Sequence, residues 1–362
     1  MSIIRDLLAK AVSLNASDIH LKCRQAPFFR VNGDLAESGF PAMSEDDLRC
    51  VALDLLPEHL RKKTDAPPEM DFSHDEPGIG RFRVNVFLSR HIPTIAMRFV
   101  KRKIPTFEEL HLPKSLERLA HIRSGIVTVC GATSSGKSTT LAALINSMNT
   151  TERLRIISIE DPVEYLFDDK QCVITQREVG LDTPSFHSAL KHVLRQDPDV
   201  IMIGEMRDDT SLRVAMTAAE TGHIVLSTLH ANTCPQVVSR ILDFFPMEER
   251  NQVLMSLANN MAAVICQRLI PAIQGGVMPA LEIMLNTPTV RKLLMKNELD
   301  VLAAAIETGT EDGMQTFNQA IYALIRSGAI TEKDGLAYAT NPEALRMNLQ
   351  GIFLDEGRRI IG

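Results

Sequence analysis

At 362 residues the chain is too long for one compact core and fits two or three domains of ordinary size. Its 45% hydrophobic and 23% charged residues are those of a globular protein and exclude a disordered or fibrous one. A net charge of −6 gives no global attraction toward nucleic acid or acidic lipid, so no nucleic-acid partner is expected.

No uninterrupted apolar run approaches the roughly 18–20 residues of a bilayer span, and the opening MSIIRDLLAK lacks the layout of a signal peptide. A cytoplasmic protein is expected. The six cysteines (Cys23, Cys50, Cys130, Cys172, Cys234, Cys266) show no CxxC or other short metal-ligand spacing, which predicts reduced, mostly buried thiols and no zinc site.

The first hundred residues read as mixed α and β. IIRDLLAKAV has helical spacing, ASDIHLK and FFRVNGDLAE read as strands with a turn at Asn32-Gly33, and RFRVNVFLSR alternates like a strand. KRKIPTFEELHLP (101–113) is charged and punctuated by proline, which suits an exposed linker. From Gly125 the pattern becomes short apolar runs alternating with amphipathic helices: GIVTVC, TLAALINSMN, RIISIE, SFHSALKHVLRQ, DVIMIGE, SLRVAMTAAE, HIVLSTLHA. Continuous apolar strands separated by helices predict an α/β domain with a parallel sheet covered on both faces. Beyond about Glu282 strand signals fade, and TVRKLLMK, LDVLAAAIET and FNQAIYALIR predict a helical tail.

GATSSGKSTT (131–140) fits G-x-x-x-x-G-K-[ST], preceded by an apolar strand and followed by a helical pattern. Gly131 and Gly136 permit backbone conformations that let amide groups face phosphate oxygens at a helix N-terminus. Lys137 adds a positive charge, and Ser138 offers a hydroxyl to Mg²⁺. Gly131, Ala132, Thr133, Ser134, Ser135, Gly136, Lys137, Ser138 and Thr139 are the expected ATP-binding set.

Other candidates stand at the ends of later strands. Glu205 closes DVIMIGE, the position from which P-loop proteins bring a carboxylate to the metal, whereas Asp199 comes too early in that strand. RIISIEDPVEY ends in Glu160, Asp161 and Glu164. Three carboxylates in five residues repel one another unless a metal offsets them, and one of them can then orient or deprotonate water; a surface turn at Asp161-Pro162 is the alternative. His230 ends LSTLHA, where it is either a γ-phosphate contact or structural. Arg81, Arg83, Arg90 and Arg98 lie within 20 residues on strand-like segments, as transition-state cations or as a solvated strand face.

Taken together these segments resemble the secretion-ATPase superfamily, and within it the PilT/PilU-type IV pilus retraction ATPases. ASDIHLK, VNGDL, GIGRFRVN (78–85), the phosphate loop, IISIEDPVEY, TQREVGLDT (175–183), ALKHVLRQDPD (189–199), IGEMRDD, AAETGHIVLSTLHANT and GMQTFNQA (313–320) carry the resemblance over nearly the whole chain. It implies a PAS-like domain over 1–102, a linker over 103–113, and a RecA-like ATPase domain over 114–362 with C-terminal helices from about 285. It also implies Glu164 as the carboxylate that polarises water, Glu205 acting with Ser138 near Mg²⁺, and His230 as the His-box histidine. Arg81, Arg83 and Arg98 would approach nucleotide on domain closure.

The implied assembly is a hexameric ring at the inner-membrane base of the pilus, acting on the platform protein there, beside a PilT-like paralogue. No tetracysteine module is present, which favours retraction over extension ATPases. TVRKLLMK (289–296) departs from the PilT helix AIRNLIRE, while QREVGLDT, LSTLHANT and MLNTP (284–288) look closer to PilU. A nucleotide-binding scaffold that supports a partner ATPase, and a DNA-translocating RecA-like motor, remain open beside the retraction motor.

Overall fold

The computed structural model describes residues 3–31, 33–57, 69–100 and 103–352. They form two compact units, each mixed α/β.

The first unit is one six-stranded antiparallel sheet in the order β3-β2-β1-β6-β5-β4, built from β1 (Asp18–Leu21), β2 (Phe28–Val31), β3 (Asp34–Glu37), β4 (Glu69–Glu76), β5 (Gly80–Ser89) and β6 (Ile92–Val100). Helices α1 (Ile3–Ser13) and α2 (Glu45–Leu55) accompany it. α1 buries Ile4, Leu7, Leu8 and Ala11, the spacing of one helical face. Ser44 and Asp47 form a capping box that starts α2. A single antiparallel sheet carrying helices is the layout expected of a PAS-like unit. Along β5 the side chains of Phe82, Val84 and Val86 enter the core, and period-2 alternation therefore turns Arg81, Arg83 and Asn85 to the other face. Arg90 and His91, both at positive φ, make the two-residue hairpin between β5 and β6. Of the turn expected at 32–33, Gly33 has φ +95° and Asn32 lies outside the described residues.

The second unit holds a seven-stranded sheet in the order β13-β12-β7-β11-β10-β8-β9. Its strands are β7 (Gly125–Cys130), β8 (Arg155–Glu160), β9 (Val173–Glu178), β10 (Val200–Ile203), β11 (Ile224–Leu229), β12 (Met261–Pro271) and β13 (Val277–Leu285). Between them run α3 (Lys137–Thr151), α4 (Phe186–Val193), α5 (Asp209–Glu220), α6 (Cys234–Asp243) and α7 (Arg250–Asn260). The four strands β7, β11, β10 and β8 are parallel neighbours, and β7, β10 and β11 are buried at every residue, as a sheet covered on both faces requires. This is the arrangement expected of a RecA-like unit, and a helical tail follows it, formed by α8 (Pro288–Met295), α9 (Leu302–Thr308), α10 (Phe317–Arg326), α11 (Glu332–Tyr338) and α12 (Pro342–Leu349).

Three features depart from the sequence expectations. The sheet is mixed, because β12 pairs parallel with β7 but antiparallel with β13. Residues 104–113 belong to the second unit, and Phe107 and Leu112 are buried where an exposed linker was expected; the two apolar side chains leave water while Glu108, Glu109 and His111 beside them stay exposed. The division is also not contiguous: Asp161–Phe167 and Glu178–Asp182 group with the first unit, although both lie in sequence between the phosphate loop and Glu205.

Candidate nucleotide site

β7 runs straight into the phosphate loop, and α3 begins at Lys137. Gly131 has φ +149° and Gly136 φ +87°, both in the region that side chains rarely adopt. A Cβ at Gly131 would meet the Gln267 carbonyl at 2.6 Å, and one at Gly136 would meet Gln267 Nε2 at 2.7 Å. Gln267, on β12, is itself buried and accepts a hydrogen bond from Thr140 Oγ1 at 2.7 Å. It therefore backs the loop from beneath, a role the sequence did not disclose. Lys137 Nζ donates to the carbonyls of Gly131 and Ala132 at 3.1 and 2.8 Å, folded over the loop. Ser135 Oγ is buried without a hydrogen-bond partner, which a native core avoids unless a ligand supplies one. Ala132, Thr133 and Ser134 are exposed, and Ser138 and Thr139 stand half-buried in the first turn of α3. A glycine cradle, an orphaned hydroxyl, a lysine and a helix N-terminus together fit the phosphates of a nucleotide.

Parallel register then decides which side chains share an edge with that loop. Ile203 pairs with Ile159 of β8 and Ser227 of β11, and Leu229 pairs with Cys130 of β7. Gly131 and His230 follow β7 and β11 directly, Glu205 follows β10 after Gly204, and Glu160 is the last residue of β8, so all four stand at the sheet's carboxyl edge, where open α/β sheets bind ligands. His230 Nε2 lies 3.3 Å from Glu205 Oε1, and Arg207 Nε donates to Glu205 Oε2 at 2.6 Å. Glu160 is buried and accepts from Ser158 Oγ at 2.5 Å and Gln176 Nε2 at 3.1 Å. Asp199 stands at the opposite, amino end of β10, where it accepts from the Arg155 amide at 2.7 Å.

In the first unit Arg83 and Arg98 are directly opposite on β5 and β6 and exposed on the face away from the core. Like charges in that position repel. Asp18, 2.8 Å from Arg98, and Asp71, 3.6 Å from Arg83, offset the repulsion, and the four side chains line a cleft of about 270 Å³. Burial pushes the Asp18 carboxyl up, but hydrogen bonds from Ser17 and Arg98 more than reverse this and leave it below its ordinary value. Arg81 is elsewhere: its Nη2 donates to Glu178 at 2.8 Å. Glu164 is exposed on the 161–167 loop of this unit, beside buried Val163.

Residues 1–277 match the family described as Type II/IV secretion system protein. The chain belongs to that family. It is 42% identical over 345 residues to the type IV pilus ATPase PilU of Pseudomonas aeruginosa, covering 95% of this chain and 90% of that one. It is 39% identical over 340 residues to the retraction ATPase PilT of the same organism, covering 94% and 99%. A crystal structure of the pilus retraction motor PilT with bound ADP superposes with a TM-score of 0.87 at 39% identity, covering 94% of this chain and 98% of that one. The PilT/PilU-type resemblance of the motifs is met over nearly the whole length, and this member of the secretion family is an ATPase by fold and by phosphate loop.

Two groupings in this family member escaped the sequence reading. Cys130, Cys234 and Cys266, far apart in the chain, meet in the core beside Glu282; Cys266 pairs with Cys130 across β12 and β7. Burial pushes all three thiols up, that of Cys234 to about 11, so they remain protonated at neutral pH. Glu282 accepts from the Cys234 amide at 2.6 Å and so caps α6. The second grouping is the set of donors around Glu178. Only folding brings either set together, and no local spacing announces them.

Proposed function

We propose that this ATPase is a motor subunit of type IV pilus retraction: it hydrolyses ATP to ADP and phosphate in a hexameric ring, in a PilU-like role beside a PilT-like paralogue. The observation that carries this reading is the carboxyl edge of the parallel sheet, where the phosphate loop, His230 and Glu205 leave adjacent strands. Likeness to PilU and to the ADP-bound PilT motor supports the pilus assignment.

In this reading the loop amides, Lys137 and Ser135 hold the phosphates, and Mg²⁺ held by Ser138 and Glu205 supplies charge neutralisation. Glu164 orients the attacking water, and His230 reports on the γ-phosphate through its contact with Glu205. Arg83 and Arg98 supply positive charge from a first unit. The force acts on the platform protein at the inner-membrane base of the pilus. Among the described residues no helix is long and apolar enough to cross a membrane, so membrane attachment in this reading is peripheral.

Purified protein with saturating Mg-ATP tests the chemistry. Lys137→Ala and Glu205→Gln should each lower turnover on the order of 10²-fold or more while retaining the native circular dichroism spectrum. Turnover at the wild-type rate in Lys137→Ala removes the site assignment, and no turnover in the wild type favours a scaffold subunit. Deleting the gene, alone and with a PilT-like paralogue removed, then reads retraction itself.

A further inference from the structure

Glu178 ends β9 in a polar run, TQRE, yet its carboxylate is only 2% exposed. A carboxylate so deeply buried is costly unless several donors and a counter-charge meet it. Both are present. Ser73 Oγ of β4 donates to Oε1 at 2.7 Å, Arg81 Nη2 of β5 donates to Oε2 at 2.8 Å, and the backbone amide of Val163 donates to Oε2 at 3.2 Å. All four residues belong to the first unit, together with the whole 161–167 loop.

The third donor gives the cluster its consequence. Val163 immediately precedes Glu164 by one residue, its side chain is buried, and its amide is fixed by Glu178. The backbone entering Glu164 is thereby held at both its amide and its apolar side chain, while the Glu164 carboxylate itself is exposed. Arg81 differs from Arg83 and Arg98 in the same terms. Its side chain is 16% exposed, against 44% and 68%, and its guanidinium faces Glu178, with Asp75 3.4 Å from Nη1.

We propose that Glu178 and Arg81 form a buried ion pair that positions the Glu164-bearing loop, so that Arg81 acts through Glu178 and not by touching nucleotide. The proposal rests on the reading of Glu164 as the carboxylate that orients water. Hydrolysis is sensitive to such placement because a shift of about 1 Å in a reacting group costs on the order of 10²-fold in rate.

The test uses the full chain. Glu178→Gln keeps the shape and an acceptor but leaves Arg81 only the exposed Asp75 as counter-charge; Arg81→Gln strands the buried carboxylate; the double variant removes both charges. Each single variant should lower kcat by about 10- to 100-fold with KM for Mg-ATP and Kd for ADP within about twofold of wild type, and amide exchange in 161–167 should quicken. The double variant should lose less than the product of the two single losses, the signature of a coupled pair. Ser73→Ala, which removes one neutral donor and leaves the ion pair, serves if the charge variants do not fold, with a smaller kcat loss in the same direction. Unchanged exchange in 161–167 overturns the proposal. So do multiplicative losses, or a raised ADP Kd in Arg81→Gln with kcat intact in Glu178→Gln. Glu164→Gln is the separate control: if it keeps wild-type turnover, the catalytic reading of Glu164 fails, whereas the exchange experiment still judges whether Glu178 holds the loop.

Discussion

Gly131 shows how narrowly the phosphate loop is specified by its surroundings. Two conditions coincide there: a φ of +149° and a Gln267 carbonyl that a Cβ would approach to 2.6 Å. The carbonyl belongs to β12, which is paired on both sides and cannot withdraw cheaply. Gly131→Ala should therefore cost about 1–3 kcal/mol of backbone strain, and should weaken nucleotide binding by at least about tenfold, which is about 1.4 kcal/mol. Titration with a fluorescent ATP analogue, beside a thermal melt, reads both quantities. Affinity equal to wild type would show that the loop does not need this close approach. The chemistry of the loop was legible from the residue string, but its support was not. Gln267 sits far along the chain from Gly131, in a segment whose sequence carries no phosphate-loop signature, and its buried amide becomes meaningful only once β12 lies beside β7.

Among elements, legibility followed how much of each signal was local. β7, β10 and β11 are uninterrupted apolar runs, so a sequence window contains the whole reason for them, and the functional residues at their ends followed from that. The β12–β13 hairpin hid because it carries polar residues inside its strands: Gln267 and Glu282, buried for tertiary reasons, and the half-buried Arg268. The polar strand β9 hid Glu178 in the same way. Arg268 shows what those residues do. Its guanidinium lies 3.8 Å from the centre of the Phe317 ring, and it donates to the carbonyl of Tyr338, tying β12 to α10 and α11. Phe317 is 1% exposed, so Phe317→Ala should destabilise the second unit by about 3–5 kcal/mol. The loss should appear as a lower urea midpoint for that unit and faster amide exchange in α11; an unmoved midpoint would mean that the tail packs independently of this ring. Arg268 is the residue next to Gln267, so the helical tail and the phosphate loop are fastened to neighbouring residues of one strand.

For the whole molecule, the chain's order and its partition into units do not coincide, since 161–167 and 178–182 leave the ATPase sequence to join the first unit. No reading of composition or proline spacing could have found that, because the cause is a set of long-range hydrogen bonds to Glu178. The cysteines provide a way to watch the two units separately. Cys23 and Cys50 lie in the first unit, half-buried and exposed, whereas Cys130, Cys172, Cys234 and Cys266 are buried in the second.

A thiol reagent at pH 8 should modify Cys50 quickly and Cys23 more slowly in the native protein, and the four buried thiols only as the second unit opens. Burial strengthens the contrast, since it holds the Cys234 thiol pKa near 11 and raises those of Cys130 and Cys266, leaving little thiolate to react. If nucleotide binds the second unit's phosphate loop, ligand at 100 times its Kd stabilises that unit by about 2.7 kcal/mol. Where reclosing outruns labelling, modification of the four buried thiols should then slow by about 100-fold, while Cys50 is unaffected. Lys137→Ala should lose that protection because its binding, not its packing, is impaired. Mass spectrometry of the modified peptides distinguishes the outcomes: protection that appears at Cys23 or Cys50 instead, or that persists in Lys137→Ala, would place the nucleotide somewhere other than residues 131–139.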